Sequence, residues 1–150
     1  MELDDITGAV VDAAMQVHRE LGPGLLESAY ELLLARELER RGLGVQRQRL
    51  ISVCYDGVRI EDAFRVDLLV EECVIVEVKS LERLSPVHRK QLLTYLRLTN
   101  LRVGLLLNFG AERMKDGLKR VVNDFVPSPS RLRVNHCDRA QLNPERVSRR

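Results

Sequence analysis

The stretch RVDLLVEECVIVEVKS, residues 65–80, constrains the fold more than any other in the chain. It is rich enough in Val and Ile to form a buried core strand, yet it carries Glu77 and Lys79 two positions apart. Side chains alternate along a strand, so Val74, Val76 and Val78 point one way while Ile75, Glu77 and Lys79 point the other. A carboxylate and an ammonium therefore share one face of a strand in the middle of the molecule. Asp67 stands ten residues before Glu77 on the preceding strand, and the turn between them decides whether it joins the pair. A three-residue loop over Glu71, Glu72 and Cys73 pairs Val70 with Val74 and sets Asp67 opposite Glu77. A two-residue loop at Glu71 and Glu72 sets Asp67 opposite Val76 instead, on the other face.

The flanking segments change period. Ile6, Val10, Ala13, Val17 and Leu21 recur at helical spacing until LGPG stops the pattern. Leu26, Tyr30, Leu33, Leu34 and Leu38 form a second helical stripe, ended by RRGLG, where Arg side chains and Gly42 suit a helix C-terminus. Residues 45–70 are β-rich and contain Asp56-Gly57, a two-residue hairpin signal. After Pro86 a helix is predicted over 87–98, with Leu92 and Leu96 on one stripe. LRVGLLLNF then reads as a buried strand and ERMKDGLKRVVNDF as a last helix interrupted by Gly117. A right-handed crossover through the helix after Pro86 would lay the strand over 102–109 parallel to a neighbour in the same sheet. The reading is one α/β domain over residues 1–126. Beyond VPSPS the chain turns Arg-rich, so 127–150 is expected to be a Pro/Ser linker and a poorly ordered basic tail, with room for one short edge strand at 131–134.

A chain of 150 residues that is 45% hydrophobic can bury a core of its own. The start MELDDITGAV is acidic and lacks a basic-then-apolar signal, and runs such as VGLLLNF are too short to span a bilayer. A soluble, cytoplasmic protein with no membrane partner is expected. Cys54, Cys73 and Cys137 are odd in number, widely spaced and without CxxC pairs, which argues against a disulfide framework or a structural zinc site and for free thiols. The net charge of +2 is uneven: residues 128–150 carry six Arg against Asp138 and Glu145, leaving 18 basic and 20 acidic side chains before them. A body with that balance lacks the long-range attraction that steers nucleic acid, so a polyanion would need a local patch or the tail.

Two carboxylates brought together in a buried place repel unless a cation lies between them. Mg²⁺ or Mn²⁺ suits hard oxygen donors of this kind, usually one or two carboxylates completed by water and substrate phosphate. Lys79 beside the ion would hold the attacking water or neutralise charge building up on the phosphate. The ordinary alternative is a solvent-facing ladder in which Lys79 screens Glu77 and Asp67, worth about 0.2–1 kcal/mol per pair. Two other segments bear on the choice. GPGLLESAY places Glu27 just after a Gly-Pro-Gly turn at a helix start, with Tyr30 and Glu31 one turn on; there Glu27 also complements the helix dipole. In HRKQLLTYL, His88, Gln91 and Tyr95 fall on one helical face, which is also what a solvated surface would show. His18, near the end of the first helix, reads as an imidazolium at a helix C-terminus.

Together these segments resemble the family named for its GxxExxY motif, which is assigned to the PD-(D/E)XK nuclease superfamily. LGPGLLESAYE supplies Gly24, Glu27 and Tyr30; RVDLLV supplies Asp67; VEVKS supplies Glu77 and Lys79; QLLTYL supplies Gln91 and Tyr95; and GLLLNFG matches the closing strand. Val66 stands where the superfamily's name has Pro, a position that supplies no ligand. The resemblance implies a three-layer, restriction-endonuclease-like α/β core with a mixed central sheet flanked by helices. It also implies a Mg²⁺ or Mn²⁺ site built from Asp67, Glu77 and Glu27, with Lys79 as the catalytic residue beside it and Gln91, Tyr95 and Tyr30 supporting the cleft. The expected activity is hydrolysis of phosphodiester bonds in nucleic acid, DNA ahead of RNA. Two other readings stay open: a non-catalytic nucleic-acid-binding or adaptor domain that keeps the fold, and a metal-dependent hydrolase of a nucleotide or small phosphate ester. The sequence names no protein partner and no oligomeric state.

Overall fold

The structure is a computed structural model that describes residues 1–124, so the expectations for the linker and tail over 127–150 lie outside the described residues. Helix α1 (Leu3–Leu21) buries Ile6, Val10, Ala13 and Val17, the stripe its periodicity marks, and carries Asp4 and Asp5 in its first turn, where the helix dipole favours negative charge. Helix α2 (Glu27–Arg40) buries Tyr30, Glu31, Leu34, Ala35 and Leu38. Five strands follow: β1 (Val45–Tyr55), β2 (Val58–Val70), β3 (Val74–Lys79), β4 (Val103–Asn108) and β5 (Leu118–Val122), with α3 (Pro86–Thr99) between β3 and β4 and the single turn α4 (Met114–Gly117) before β5. The strands lie side by side in chain order. The α3 crossover makes β3 and β4 parallel, while the other three neighbouring pairs are antiparallel.

Each face of the mixed sheet carries its own apolar cluster. Val70, Val74, Val76, Val78, Leu105 and Leu107 pack against α1 and α2. Val66, Leu69, Ile75 and Leu106 pack against Leu92 and Leu96 of α3 on the other side. Helices on both faces of a mixed sheet give the expected three-layer α/β core.

The β1–β2 ribbon turns over between its ends. Val45 packs against the α1–α2 cluster, but Ile51 and Val53 belong to the α3 cluster. Strict alternation would keep these odd-numbered positions on one face. The reversal falls around Gln48, whose φ is 51°, a left-handed conformation that breaks the alternation. Strand β2 reverses at the matching place, since Val66 and Leu68 lie two apart yet enter different clusters.

Both hairpins follow their turn residues. Tyr55 pairs with Val58 across Asp56-Gly57, both at positive φ (50° and 76°), the two-residue geometry that matches strand twist. Val70 pairs with Val74, so the β2–β3 loop has three residues, with Glu71 and Glu72 at φ of 50° and 58°.

Two expectations fail. The last predicted helix is a single turn followed by strand β5. A Cβ at Gly117 would strike the carbonyl oxygen of Asn108, so this glycine lets the chain close against β4, and Leu118 and Val122 then pair with Leu107 and Val103. Helical periodicity in a short apolar segment lost to pairing with a buried neighbour strand. Among the cysteines, Cys73 is a free thiol but Cys54 is disulfide-bonded. Spacing along the sequence sets no limit on how close two thiols come in the fold.

Candidate metal-binding site

The β2–β3 ladder runs from Val70 and Val74 to Leu68 and Val76 and stops there. One step further the two strands are joined through side chains. The Asp67 carboxylate accepts a hydrogen bond from the Val78 backbone N–H at 2.9 Å, and the Asp67 N–H donates to Glu77 Oε1 at 3.3 Å. The three-residue turn thus sets Asp67 against Glu77, as strand parity requires. Glu77 is only 5% exposed. Burial, and then the charge of Asp67 and a hydrogen bond with it, push the Glu77 carboxyl up to about 9, against a smaller downward pull from the Asp67 backbone N–H and the Lys79 charge. Without a counter-ion, Glu77 holds a proton at neutral pH.

Lys79, at the end of β3, is half-buried beside Asn108 of β4. The chain that follows it is tied down twice. The Asn108 side chain, 2% exposed, exchanges two 2.9 Å hydrogen bonds with the backbone of Leu81. Ser80 donates its hydroxyl to the Leu25 carbonyl at 2.7 Å and its N–H to Glu27 Oε1 at 3.4 Å. Asn108 is a supporting residue that the sequence signals only as an amide inside an apolar run.

Glu27 is exposed and stands at the rim of an open cavity of about 540 Å³, also lined by Glu31, Gln48, Asp67 and Ser80. No group of three or more His, Cys, Asp or Glu side chains among the described residues is gathered tightly enough to hold a metal ion. The structure brings Asp67 and Glu77 into contact, and Glu27 lines the same cavity as Asp67.

Tyr95 of α3 is half-buried, stacked on Phe64 with ring centroids 4.1 Å apart. Burial raises its hydroxyl above the ordinary tyrosine range, and the charges of Glu77 and Asp67 add to the effect. Gln91, one turn earlier, is exposed. Tyr30 holds Leu25, a residue that lines the same cavity as Glu27 and Asp67. It is fully buried, stacks on Phe109 at 4.5 Å, donates to the Gly22 carbonyl at 2.5 Å and accepts from the Leu25 N–H at 3.1 Å. It knots the Gly-Pro-Gly loop in front of Glu27. His88 is used locally, its Nδ1 accepting the Ser85 N–H at 3.1 Å to cap α3, and His18 bonds the Ala111 carbonyl at 2.8 Å.

Two polar residues of the cavity were not singled out as site residues from sequence. Glu31, 5% exposed, accepts from the Gln48 amide at 2.8 Å and lies 3.5 Å from Arg47 Nε. Burial raises its carboxyl, the Gln48 hydrogen bond opposes that, the Asp67 charge raises it further and Arg47 lowers it. The Gln48 amide also reaches Asp67 Oδ1 at 3.4 Å.

A family model described as the PD-(D/E)XK nuclease superfamily matches residues 4–121, most of the chain, from α1 into β5. The chain belongs to that superfamily. Neither a curated protein nor a solved structure matches it. Nucleases of the PD-(D/E)XK superfamily generally use divalent metals, and the donor chemistry here is compatible with one. Two carboxyls face each other in a buried cleft where one must otherwise keep a proton, and a hard dication needs only one or two such donors from the protein.

Proposed function

We propose that this PD-(D/E)XK protein is a Mg²⁺- or Mn²⁺-dependent nuclease that hydrolyses phosphodiester bonds in nucleic acid, with DNA favoured over RNA. The observation that carries the reading is the Asp67–Glu77 contact at the end of the β2–β3 ladder, with Glu77 pushed up to about 9 and Lys79 two residues on. Asp67 and Glu77 would hold the cation, and Glu27 at the cavity rim would be a further oxygen donor. Bound there, the ion supplies positive charge to phosphate oxygens as they gain negative charge. Lys79 is the catalytic residue on this reading. Its ammonium orients the attacking water and offsets charge on the phosphate. Tyr95, stacked on Phe64 beside the pair, and Gln91 on the same helix position the phosphate.

Residues 1–124 carry 18 basic and 20 acidic side chains. That balance favours, as a second reading, hydrolysis of a nucleotide or small phosphate ester, which needs no extended basic groove. One experiment separates the two. Purified protein is incubated with Mg²⁺ or Mn²⁺ and a panel of DNA, RNA and nucleotides, alongside Lys79→Ala. Metal-dependent cleavage of a polymer that Lys79→Ala abolishes is expected. Cleavage confined to nucleotides selects the second reading, and cleavage that survives Lys79→Ala removes the assigned mechanism.

A further inference from the structure

Gln48 lies on β1 where the strand reverses its faces, with φ at 51°. Glycine adopts that conformation freely and glutamine does not, so the reversal alone is no reason for a long polar side chain there. The side chain is engaged on both sides. Its Nε2 donates to Glu31 Oε2 at 2.8 Å and, at a longer 3.4 Å, to Asp67 Oδ1. A primary amide nitrogen carries two hydrogens, one for each carboxylate. Asp67 is thereby held at both oxygens, since its Oδ2 accepts from the Val78 N–H at 2.9 Å. Glu31 lines the cavity, and its Oε1 is buried without a hydrogen bond, although Arg47 Nε stands 3.5 Å away as an ion-pair partner.

We propose that Gln48 is a positioning residue for the divalent cation: its neutral amide fixes Asp67 against Glu31 without cancelling either negative charge. The inference rests on the metal reading proposed above. The choice of amide matters. A Lys or Arg at this position would pair with the same two carboxylates but would bring a fixed positive charge into the space the ion uses. A hydrocarbon would leave Asp67 Oδ1 free to swing. Partners of metal ligands that fix their orientation typically change metal affinity about tenfold to a hundredfold when removed.

The test is a Mn²⁺ titration of the full chain at constant ionic strength, followed by calorimetry and by thermal melting. The variants are Gln48→Gly, which removes the side chain at no backbone cost, and Gln48→Lys. The expected result for Gln48→Gly is a Mn²⁺ dissociation constant weaker by about tenfold to a hundredfold, together with a lower metal-free melting temperature, because the buried Glu31 carboxyl loses its donor. Gln48→Lys should lose the Mn²⁺-induced shift while its metal-free form stays at least as stable as wild type. A Gln48→Gly protein that binds Mn²⁺ as tightly as wild type overturns the proposal, as does a Gln48→Lys protein that keeps the wild-type Mn²⁺-induced shift. Wild type that shows no Mn²⁺ binding at all overturns the metal reading itself, and the positioning role with it.

Discussion

Glu77 and Glu31 are buried to the same degree, 5% exposed each, and both carboxyls are raised by the loss of water around them. Their neighbours differ. Glu77 faces Asp67, a second carboxyl, and is pushed up to about 9 with only the Asp67 N–H and the Lys79 charge opposing. Glu31 has the Gln48 amide at 2.8 Å and Arg47 at 3.5 Å, so donors from β1 offset part of its burial. Burial makes any carboxylate costly, but the adjacent group decides whether the charge is already answered or still needs a cation. On this account Glu77 belongs to the reaction centre and Glu31 to its support.

The largest effect that could break the distinction is on catalysis. Lys79→Ala and Asp67→Asn should each lower turnover of a cleavable nucleic acid by about a hundredfold or more, the usual scale for losing one group that stabilises transition-state charge. Glu31→Gln should cost about tenfold, the lower end of the range for a group acting through a ligand's orientation. Equal losses in steady-state cleavage would place Glu31 in the reaction centre.

The pH dependence of stability is the next largest. Between the ordinary carboxylate value of 4.5 and about 9, folded metal-free protein keeps the Glu77 proton while the unfolded chain has released it. The unfolded state binds fewer protons, so stability should fall as pH rises through that window, at no more than about 1.4 kcal/mol per pH unit. Denaturant titrations at a series of pH values should show this slope in wild type and a flatter one in Glu77→Gln. A slope that survives Glu77→Gln but vanishes in Glu31→Gln would reverse the comparison.

Tyr30→Phe should have the smallest effect. It keeps the stack on Phe109 and removes the hydroxyl that holds Gly22 and Leu25, costing about 1 kcal/mol. Chemical denaturation measures this directly, and a loss of activity far beyond it would mean that the hydroxyl serves the cleft.

What the sequence made legible is what short-range rules control. Alternation along β3 put Glu77 and Lys79 on one face and left the place of Asp67 to the turn, which the three-residue loop over Glu71, Glu72 and Cys73 settles. Helical spacing put Gln91 and Tyr95 on α3, and the order of periods indicated a sheet between helices. The missed features depend on departures from those rules. Gln48 joins the site because its φ of 51° reverses β1, and nothing in QRQRL announces a left-handed glutamine. Glu31 follows Tyr30 directly, and only the rotation of α2 against the sheet shows that it is buried beside Asp67 while Glu27 is exposed. Strand β5 was read as helix because Leu118, Val121 and Val122 fit either period until β4 supplies a partner.

The central claim, that Asp67 and Glu77 form a cation site, is tested most directly by thermal melting of wild type and Asp67→Asn across a Mg²⁺ or Mn²⁺ titration at constant ionic strength. An ion that binds only the folded cleft adds about 2.7 kcal/mol at a hundredfold excess over its dissociation constant. Wild type should rise toward that value. Asp67→Asn should not respond to the ion and should be at least as stable as wild type without it, because the substitution relieves the repulsion between the two carboxyls. Wild type that ignores both ions, together with an Asn variant that is less stable with and without them, would show that Asp67 serves only as a salt-bridge partner of Lys79 and would contradict the cation site.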